Sequence, residues 1–240
     1  MTNPPGMTVA SPRLTGWIVN ALSVLVTLTV PIVLVLLGVH VVMSDSYLQI
    51  EYNKPDFPAD SYGFSLQDRL QYAPYALDYM LGPYPIDYLG NQTLPNGAPM
   101  YNERELQHMQ DVKVVFRATL FLLAAALFVL ALCILLLREM DGGRAALRRG
   151  LYSGGLLMLA ILALLVVFVL SDWNSFFDGF HNLFFAQGTW RFEYSDTLIR
   201  LFPERFWQDA ALTIGALSAL GALLILVGCW RWAKLSVKHA

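Results

Sequence analysis

The chain has 240 residues, of which 56% are hydrophobic and 14% are charged, and its formal net charge is −2. Soluble domains carry about 25% charged residues, so this composition excludes an ordinary soluble domain and favours a membrane protein. The net charge also argues against a nucleic-acid-binding protein, which needs a concentrated basic surface.

Four apolar stretches are long enough to span a membrane, since a helix of about 20 residues crosses a hydrocarbon core of roughly 30 Å. They cover residues 17–43, 114–137, 151–170 and 210–230. We interpret the first as an uncleaved anchor rather than a signal peptide, because it is much longer than a typical h-region and no A-x-A site follows it. The sequence therefore predicts an all-α integral membrane protein with four transmembrane helices.

Short basic segments predict the orientation of the chain, because such segments stay on the cytoplasmic side. Residues 138–150 contain four arginines, and residues 231–240 contain one arginine and two lysines. We therefore expect the N-terminal tail (1–16), the 138–150 loop and the C-terminal tail (231–240) in the cytoplasm. Residues 44–113, a cap of short helices and extended segments, and residues 171–209, an aromatic loop, are expected on the extracytoplasmic face. Both cysteines lie near the predicted inner ends of spans, which leaves the outer loops without a cysteine nucleophile.

The cap sequence contains signals for two helices. In "SLQDRLQYAPYALDYMLG", Ser65 is placed as the N-cap, Asp68 is at N3 and Gly82 ends the pattern. Pro74 leaves open a kink or a division into two shorter helices. The second helix begins at Asn102 and is predicted to run into the second span without a break.

Two histidine–carboxylate pairs lie at the same predicted depth. Glu105, His108 and Asp111 recur at three-residue spacing, which places them on one helical face, with His108 roughly 9 Å above the apolar run. Asp178 and His181 have the same spacing within "SFFDGFHNLFFAQGTW". This segment is too polar to cross the bilayer and too aromatic to be fully solvated, so we expect it to lie in the membrane interface. The sequence therefore predicts one shared site at headgroup depth.

Histidine chemistry narrows what such a site can do. A neutral imidazole takes a proton from a nucleophile and returns it to a leaving group, while a carboxylate fixes its tautomer. The hydroxyls of Ser171, Ser175 and Thr189 form no G-x-S-x-G motif, which favours a substrate that brings its own nucleophile. The interfacial location favours a lipid ester as that substrate.

Two alternatives remain open. The Glu-x-x-His and Asp-x-x-His turns together resemble ligands of a divalent metal, which would indicate a metal-dependent membrane hydrolase of lipids or esters. A non-enzymatic scaffold or transporter has less support, because the spans contain no midplane charge relay.

The motifs "DFPADSYGFSLQDRLQYA", "ELQHMQDVK", "FFDGFHNLFF" followed by "TW", and "LFPERFW" occur in this order along the chain. In order and spacing they resemble the lipoprotein intramolecular transacylase (Lit) family of bacterial integral membrane proteins. The resemblance implies four transmembrane helices with an extracytoplasmic cap in the bacterial cell membrane, and catalytic roles for His108 and His181. It also implies transfer of the sn-2 acyl chain of a diacylglyceryl lipoprotein to the α-amino group of its N-terminal cysteine. The product would be a lyso-form lipoprotein, made without a cofactor or a metal ion.

Further residues are expected to assist the two histidines. Asp111, Asp178 and Glu105 would support the imidazole rings. Contacts with the lipoprotein substrate and membrane lipid are expected from Tyr62, Arg69, Lys113, Phe177, Phe180, Phe184, Phe185, Trp190 and Arg191. For the three basic residues of this set, salt bridges within the cap are an equally supported alternative.

Overall fold

The computed structural model describes residues 12–186 and 188–238. Its helices are α1 (Pro12–Val42), α2 (Asp45–Tyr52), α3 (Leu66–Leu81), α4 (Asp87–Gly90), α5 (Glu103–Glu139), α6 (Gly143–Ser171), α7 (Trp173–Phe184), α8 (Thr197–Leu201) and α9 (Glu204–Lys238). Most of the predicted N-terminal tail and the last two residues of the predicted C-terminal tail lie outside the described residues. In the described residues, β-pairing is confined to one isolated bridge between Thr93 and Pro99.

Four of these helices are long and apolar enough to cross a membrane. Among the described residues the candidate spans are Thr15–Val42, Glu103–Glu139, Gly143–Val169 and Glu204–Leu235. The predicted all-α membrane fold is therefore confirmed. The helices extend beyond the predicted apolar stretches, because their polar flanking turns continue the helical hydrogen bonding. As a result, only residues 140–142 connect α5 to α6, although a longer loop over 138–150 was expected.

The chain divides into two compact units. One draws on Met1–Val33, Ala125–Ala160 and Ala219–Ala240, and the other on Leu34–Ala124 and Ile161–Ser218. In the first unit, α1 and α6 approach closely at small residues, which is typical of packed membrane helices. A Cβ atom added at Gly154 would lie 2.8 Å from the Cβ of Val30, and the Ser23 hydroxyl donates to the Ala146 carbonyl at 2.8 Å.

The second unit contains the cap, and α3 is its central helix. Ser65 and Asp68 form a capping box at its N-terminus, as predicted, and the helix ends at Gly82. Pro74 lies inside this helix, which runs unbroken from Leu66 to Leu81. α3 contacts α2, α4 and α8. Its core-facing side chains pack with residues of α5 and α8 in one buried cluster that includes Tyr72, Ala76, Tyr79, Met80, Met109, Phe116, Leu198 and Leu201.

Candidate functional site

The structure brings the imidazoles of His108 and His181 together. His108 lies on α5 and His181 on α7, and their ring centroids are 6.3 Å apart with the planes inclined by 24°. The His108 ring also contacts Phe185 at 5.1 Å and Phe192 at 5.2 Å between centroids. Two histidines predicted to share one depth therefore lie in a single cluster within the second unit.

His181 has a defined tautomer in this arrangement. Its Nδ1 lies 2.8 Å from the carbonyl oxygen of Phe177. A carbonyl oxygen only accepts hydrogen bonds, so Nδ1 carries the proton and donates, and Nε2 keeps its lone pair. Burial lowers the pKa of His181, and the Phe177 hydrogen bond and the Asp178 charge oppose this shift only in part. A lowered pKa keeps the ring neutral at physiological pH, with Nε2 free to take a proton.

Aromatic rings surround the two histidines, and we refer to them as the aromatic cluster: Phe177, Phe180, Phe184, Phe185, Trp190 and Phe192. Next to the His181 ring lie Phe177 at 4.0 Å and Trp190 at 4.7 Å between centroids. The outer side of α7 is apolar and open, because Phe180 and Phe184 remain 50% and 45% exposed. An exposed aromatic face on a short helix is typical of a segment lying in the membrane interface.

Asp178 has a different partner from the one expected. Its Oδ2 accepts a hydrogen bond from Arg191 Nη2 at 2.7 Å, and the imidazole Nδ1 of His181 donates instead to the Phe177 carbonyl. Helical side chains lean back toward the preceding turn, which places the His181 ring over Phe177. The hydrogen bond that orients the His181 ring is therefore to a backbone carbonyl, where the sequence predicts a carboxylate, and Asp178 acts on the ring through its charge.

Glu105 is also engaged away from the imidazoles. Its side chain is 1% exposed and accepts from the backbone nitrogens of Asn102 at 2.8 Å and Leu198 at 2.7 Å. The carboxylate thus caps α5 and joins its N-terminus to α8. Asp111 accepts a hydrogen bond from Gln107 Nε2 at 3.1 Å on the exposed side of α5.

Three predicted substrate-binding residues contact other parts of the cap or the aromatic loop. The Arg69 guanidinium is buried and donates to the carbonyls of Pro58 at 2.6 Å and Arg200 at 3.0 Å. The ammonium of Lys113 donates to the Tyr84 carbonyl at 2.8 Å. Tyr62 is exposed, and its carbonyl accepts from Arg200 Nη2 at 3.1 Å. These interactions favour a structural role for Arg69 and Lys113, whereas the contact of Tyr62 is made by its backbone and leaves its exposed side chain available.

In the described part of the chain, the carboxylates near the two histidines are bonded to other groups. Within residues 12–186 and 188–238, no group of three or more His, Cys, Asp and Glu side chains is arranged to hold a metal ion. The hydrogen bonds of Glu105 and Asp178 explain this, because each carboxylate is directed to another partner.

Phe192 belongs to the site and was absent from the sequence prediction. It follows Trp190 by two residues in a segment without helix, and both rings contact a histidine. Alternate side chains of an extended segment point to the same side, so the pattern "WRF" contained the necessary signal.

Comparisons with known proteins agree with this fold. A family model described as lipoprotein intramolecular transacylase Lit matches residues 24–207. A protein of Aquifex aeolicus (strain VF5), described as uncharacterized, is 29% identical over 206 residues, which is 85% of this chain and 91% of that protein.

Solved structures of the membrane integral lipoprotein intramolecular transacylase Lit from Bacillus cereus are also similar. One, carrying a histidine-to-arginine mutation, has a TM-score of 0.74 at 17% identity and covers 95% of this chain and 97% of its own. Another, with a histidine-to-alanine mutation, has a TM-score of 0.71 at 17% identity and covers 94% and 98%. At this identity the likeness establishes the fold.

Proposed function

The chain belongs to the lipoprotein intramolecular transacylase Lit family, a family of membrane acyltransferases, and from this premise we propose its reaction. The enzyme moves the sn-2 acyl chain of a diacylglyceryl lipoprotein to the α-amino group of the lipoprotein's own N-terminal cysteine. The product is a lyso-form lipoprotein. The observation that carries this proposal is the pairing of His108 and His181, 6.3 Å apart between ring centroids, inside the aromatic cluster.

The reaction needs proton transfer and confinement, which such a cluster provides. The amine nitrogen attacks the ester carbonyl carbon, a C–N bond forms and the C–O bond to the glycerol breaks. The nitrogen gives up one proton and the glycerol oxygen receives one, so the exchange is balanced within the substrate. Because both reacting groups belong to one molecule, enforced proximity supplies much of the acceleration, and effective molarities reach about 10⁵ M or more in well-oriented systems.

We assign the base role to His181. Its Nδ1 proton is held by the Phe177 carbonyl, so Nε2 is the atom that accepts a proton from the attacking amine. The lowered pKa of His181 favours the neutral ring that a base requires. The backbone hydrogen bond also stabilises the imidazolium that forms once the proton has been taken.

We propose that the proton taken up by His181 passes to His108, which delivers it to the glycerol oxygen, so both rings are neutral again at the end of the reaction. Its Nδ1 is buried and has no hydrogen-bond partner among the described residues, so this ring is not committed to a structural contact through that atom. Phe185 and Phe192 pack against its edges and hold it beside His181. The two rings then carry out the two proton transfers of one ester aminolysis, from the amine and to the glycerol oxygen.

The surrounding surfaces suit a lipoprotein that stays in the membrane. The exposed rings of Phe180 and Phe184 offer an apolar path for acyl chains, and the amine and ester approach the histidines from the interface. We further propose that both termini are cytoplasmic and that the site faces the outside of the bacterial cell membrane. The arginines at positions 138, 144, 148 and 149 support this orientation.

The direct test uses purified protein in detergent and a synthetic diacylglyceryl-cysteine peptide. Intramolecular transfer leaves the mass unchanged, so fragmentation mass spectrometry should locate the acyl chain on the cysteine nitrogen and a free hydroxyl at sn-2. A peptide whose amine is acetylated beforehand should be unreactive, because it has no nucleophile. Release of free fatty acid with loss of mass would instead identify a hydrolase and overturn the proposal.

A further inference from the structure

Trp190 carries a buried hydrogen-bond donor without an acceptor. Its side chain is 6% exposed, and its Nε1 has no partner among the described residues. The indole nitrogen can only donate a hydrogen bond, so it is satisfied only by an acceptor atom. Buried donors without a partner are rare, because they destabilise the fold. Such a donor in a candidate active site indicates that an acceptor atom of a ligand pairs with it.

The position of this donor relates it to the histidines. The Trp190 ring lies 4.7 Å from the His181 ring between centroids, and 6.0 Å from that of Phe177. The described residues contain seven buried side-chain nitrogen or oxygen atoms without a partner. Two of the seven, Trp190 Nε1 and His108 Nδ1, belong to rings that contact His181.

The indole is also held in place. The guanidinium of Arg191 lies over its ring at 5.1 Å from the centroid, and Arg191 is bonded to Asp178 of α7. Gly188, with φ of +84°, makes the turn that returns the chain from α7 to Trp190, a backbone conformation that other residues rarely adopt. A donor fixed before the substrate arrives needs no reorganisation during the reaction.

We propose that the Trp190 Nε1–H group donates a hydrogen bond to the carbonyl oxygen of the transferred acyl group. The inference rests on the proposed function and assigns a further catalytic residue to it. As the amine attacks, negative charge develops on this oxygen, and a donor in a dry aromatic site stabilises that charge more than it stabilises the ground-state ester. No proton is transferred to or from Trp190, so the proton balance between the histidines is unchanged.

The test compares Trp190→Phe with the matched variant Trp173→Phe. Trp173 also lies on the α7 side of the cluster, where its ring contacts Phe176 and Phe177. With the diacylglyceryl peptide, Trp190→Phe should lower kcat by about 100-fold and change KM by less than about threefold, as expected for a lost oxyanion donor. Trp173→Phe should retain kcat within about threefold of the parent.

Two further measurements separate a hydrogen bond from packing. Replacing Trp190 by benzothienylalanine keeps the shape of the ring and exchanges the N–H for sulfur, and it should lower kcat to the same degree. A peptide analogue with a phosphonate in place of the sn-2 ester mimics the oxyanion, and its affinity should fall with kcat. An sn-2 ether analogue without a carbonyl should bind equally to parent and variant.

The outcomes of these experiments test the role of Trp190 separately from the proposed transacylase function. A parent enzyme that forms no lyso-form peptide overturns the proposed function. If the parent is active and the benzothienylalanine protein keeps kcat within threefold, the role of Trp190 is wrong while the function stands. Equal loss of affinity for the phosphonate and ether analogues would also overturn it, because that pattern indicates packing alone.

Discussion

The imidazole rings of His108 and His181 lie 6.3 Å apart between centroids and are nearly parallel, although α5 and α7 contribute them from distant parts of the chain. Burial in the aromatic cluster lowers the pKa of His181, and two imidazoles this close would also repel each other if both were charged. Their proximity therefore favours a pair of neutral rings at rest. From this state one ring takes the proton of the amine, and the pair then returns that same proton to the glycerol oxygen.

The pH dependence of the reaction should report the neutral form of His181. Burial lowers the pKa of this ring, so the active neutral form persists to more acidic pH than for a free imidazole. The α-amino group of the free peptide titrates near about 7.7 to 8.0, so we expect kcat/KM, corrected for the fraction of unprotonated amine, to be lost as pH falls with a midpoint below about 6.5. Initial rates measured across pH 4 to 8 on the diacylglyceryl peptide provide the check, and an acid midpoint above that of free histidine would contradict the assignment.

Asp178 should move this midpoint in a predictable direction. Its charge raises the pKa of His181, so Asp178→Asn should lower that pKa further and shift the acid midpoint to lower pH. Asp172→Asn is the matched control on the same helix, because asparagine preserves the N-cap that Asp172 provides to Ser175. The control should leave the midpoint in place, and an upward shift in Asp178→Asn would refute the electrostatic coupling.

Glu105 should prove to be a structural residue rather than a proton donor. Glu105→Ala leaves the buried nitrogen of Leu198 and the part-buried nitrogen of Asn102 without an acceptor, which should cost about 1 to 3 kcal/mol in the free energy of unfolding. Glu103→Ala, an exposed change in the same turn, should cost less than about 0.5 kcal/mol. Denaturant unfolding in detergent measures both, and an unchanged stability in Glu105→Ala would show that the carboxylate is not the link between α5 and α8.

The orientation of the chain is testable by cysteine labelling. Ser61 in the cap and Ser195 in the aromatic loop are exposed, whereas Asp60, next to Ser61, bonds Arg200 at 3.0 Å and is a poor position for a probe. Cysteines at Ser61 and Ser195 should react with an impermeant thiol reagent in intact cells, and one at Ala145 should react only after lysis. Native Cys133 and Cys229 are buried and should give little background. The reverse pattern would place the histidines on the cytoplasmic face.

The sequence predicted the features that depend on local chemistry. The capping box of Ser65 and Asp68 and the cap at Asn102 follow from side chains that reach backbone groups within one turn. The continuity of α5 follows from the lack of any breaker between Glu103 and the apolar run. The convergence of the histidines was predictable from depth, because a membrane confines interfacial residues to one layer.

The partners of the charged side chains were not predictable in the same way. Helical spacing placed Glu105 near His108, but Glu105 instead bonds Leu198, which lies far along the chain. Likewise, Asp178 was within reach of His181 and pairs with Arg191 beyond the turn at Gly188. Helical spacing determines which side chains can reach each other, and tertiary packing determines which of these contacts form.

The histidine pair is tested most directly by locating the acyl chain on the peptide after reaction with single histidine variants. His108→Ala and His181→Ala should each insert and melt like the parent, yet leave the diacylglyceryl peptide unchanged, because acid and base steps contribute about 10² to 10⁴ each. His40→Ala is the matched control, since its imidazole packs on Phe116 outside the aromatic cluster. Fragmentation mass spectrometry of the product decides the question. The N-acylated peptide with a free sn-2 hydroxyl should form with the parent and with His40→Ala, and it should be absent with His108→Ala and His181→Ala. Its formation by His108→Ala or His181→Ala at a rate within a few-fold of the parent would contradict the paired-histidine mechanism.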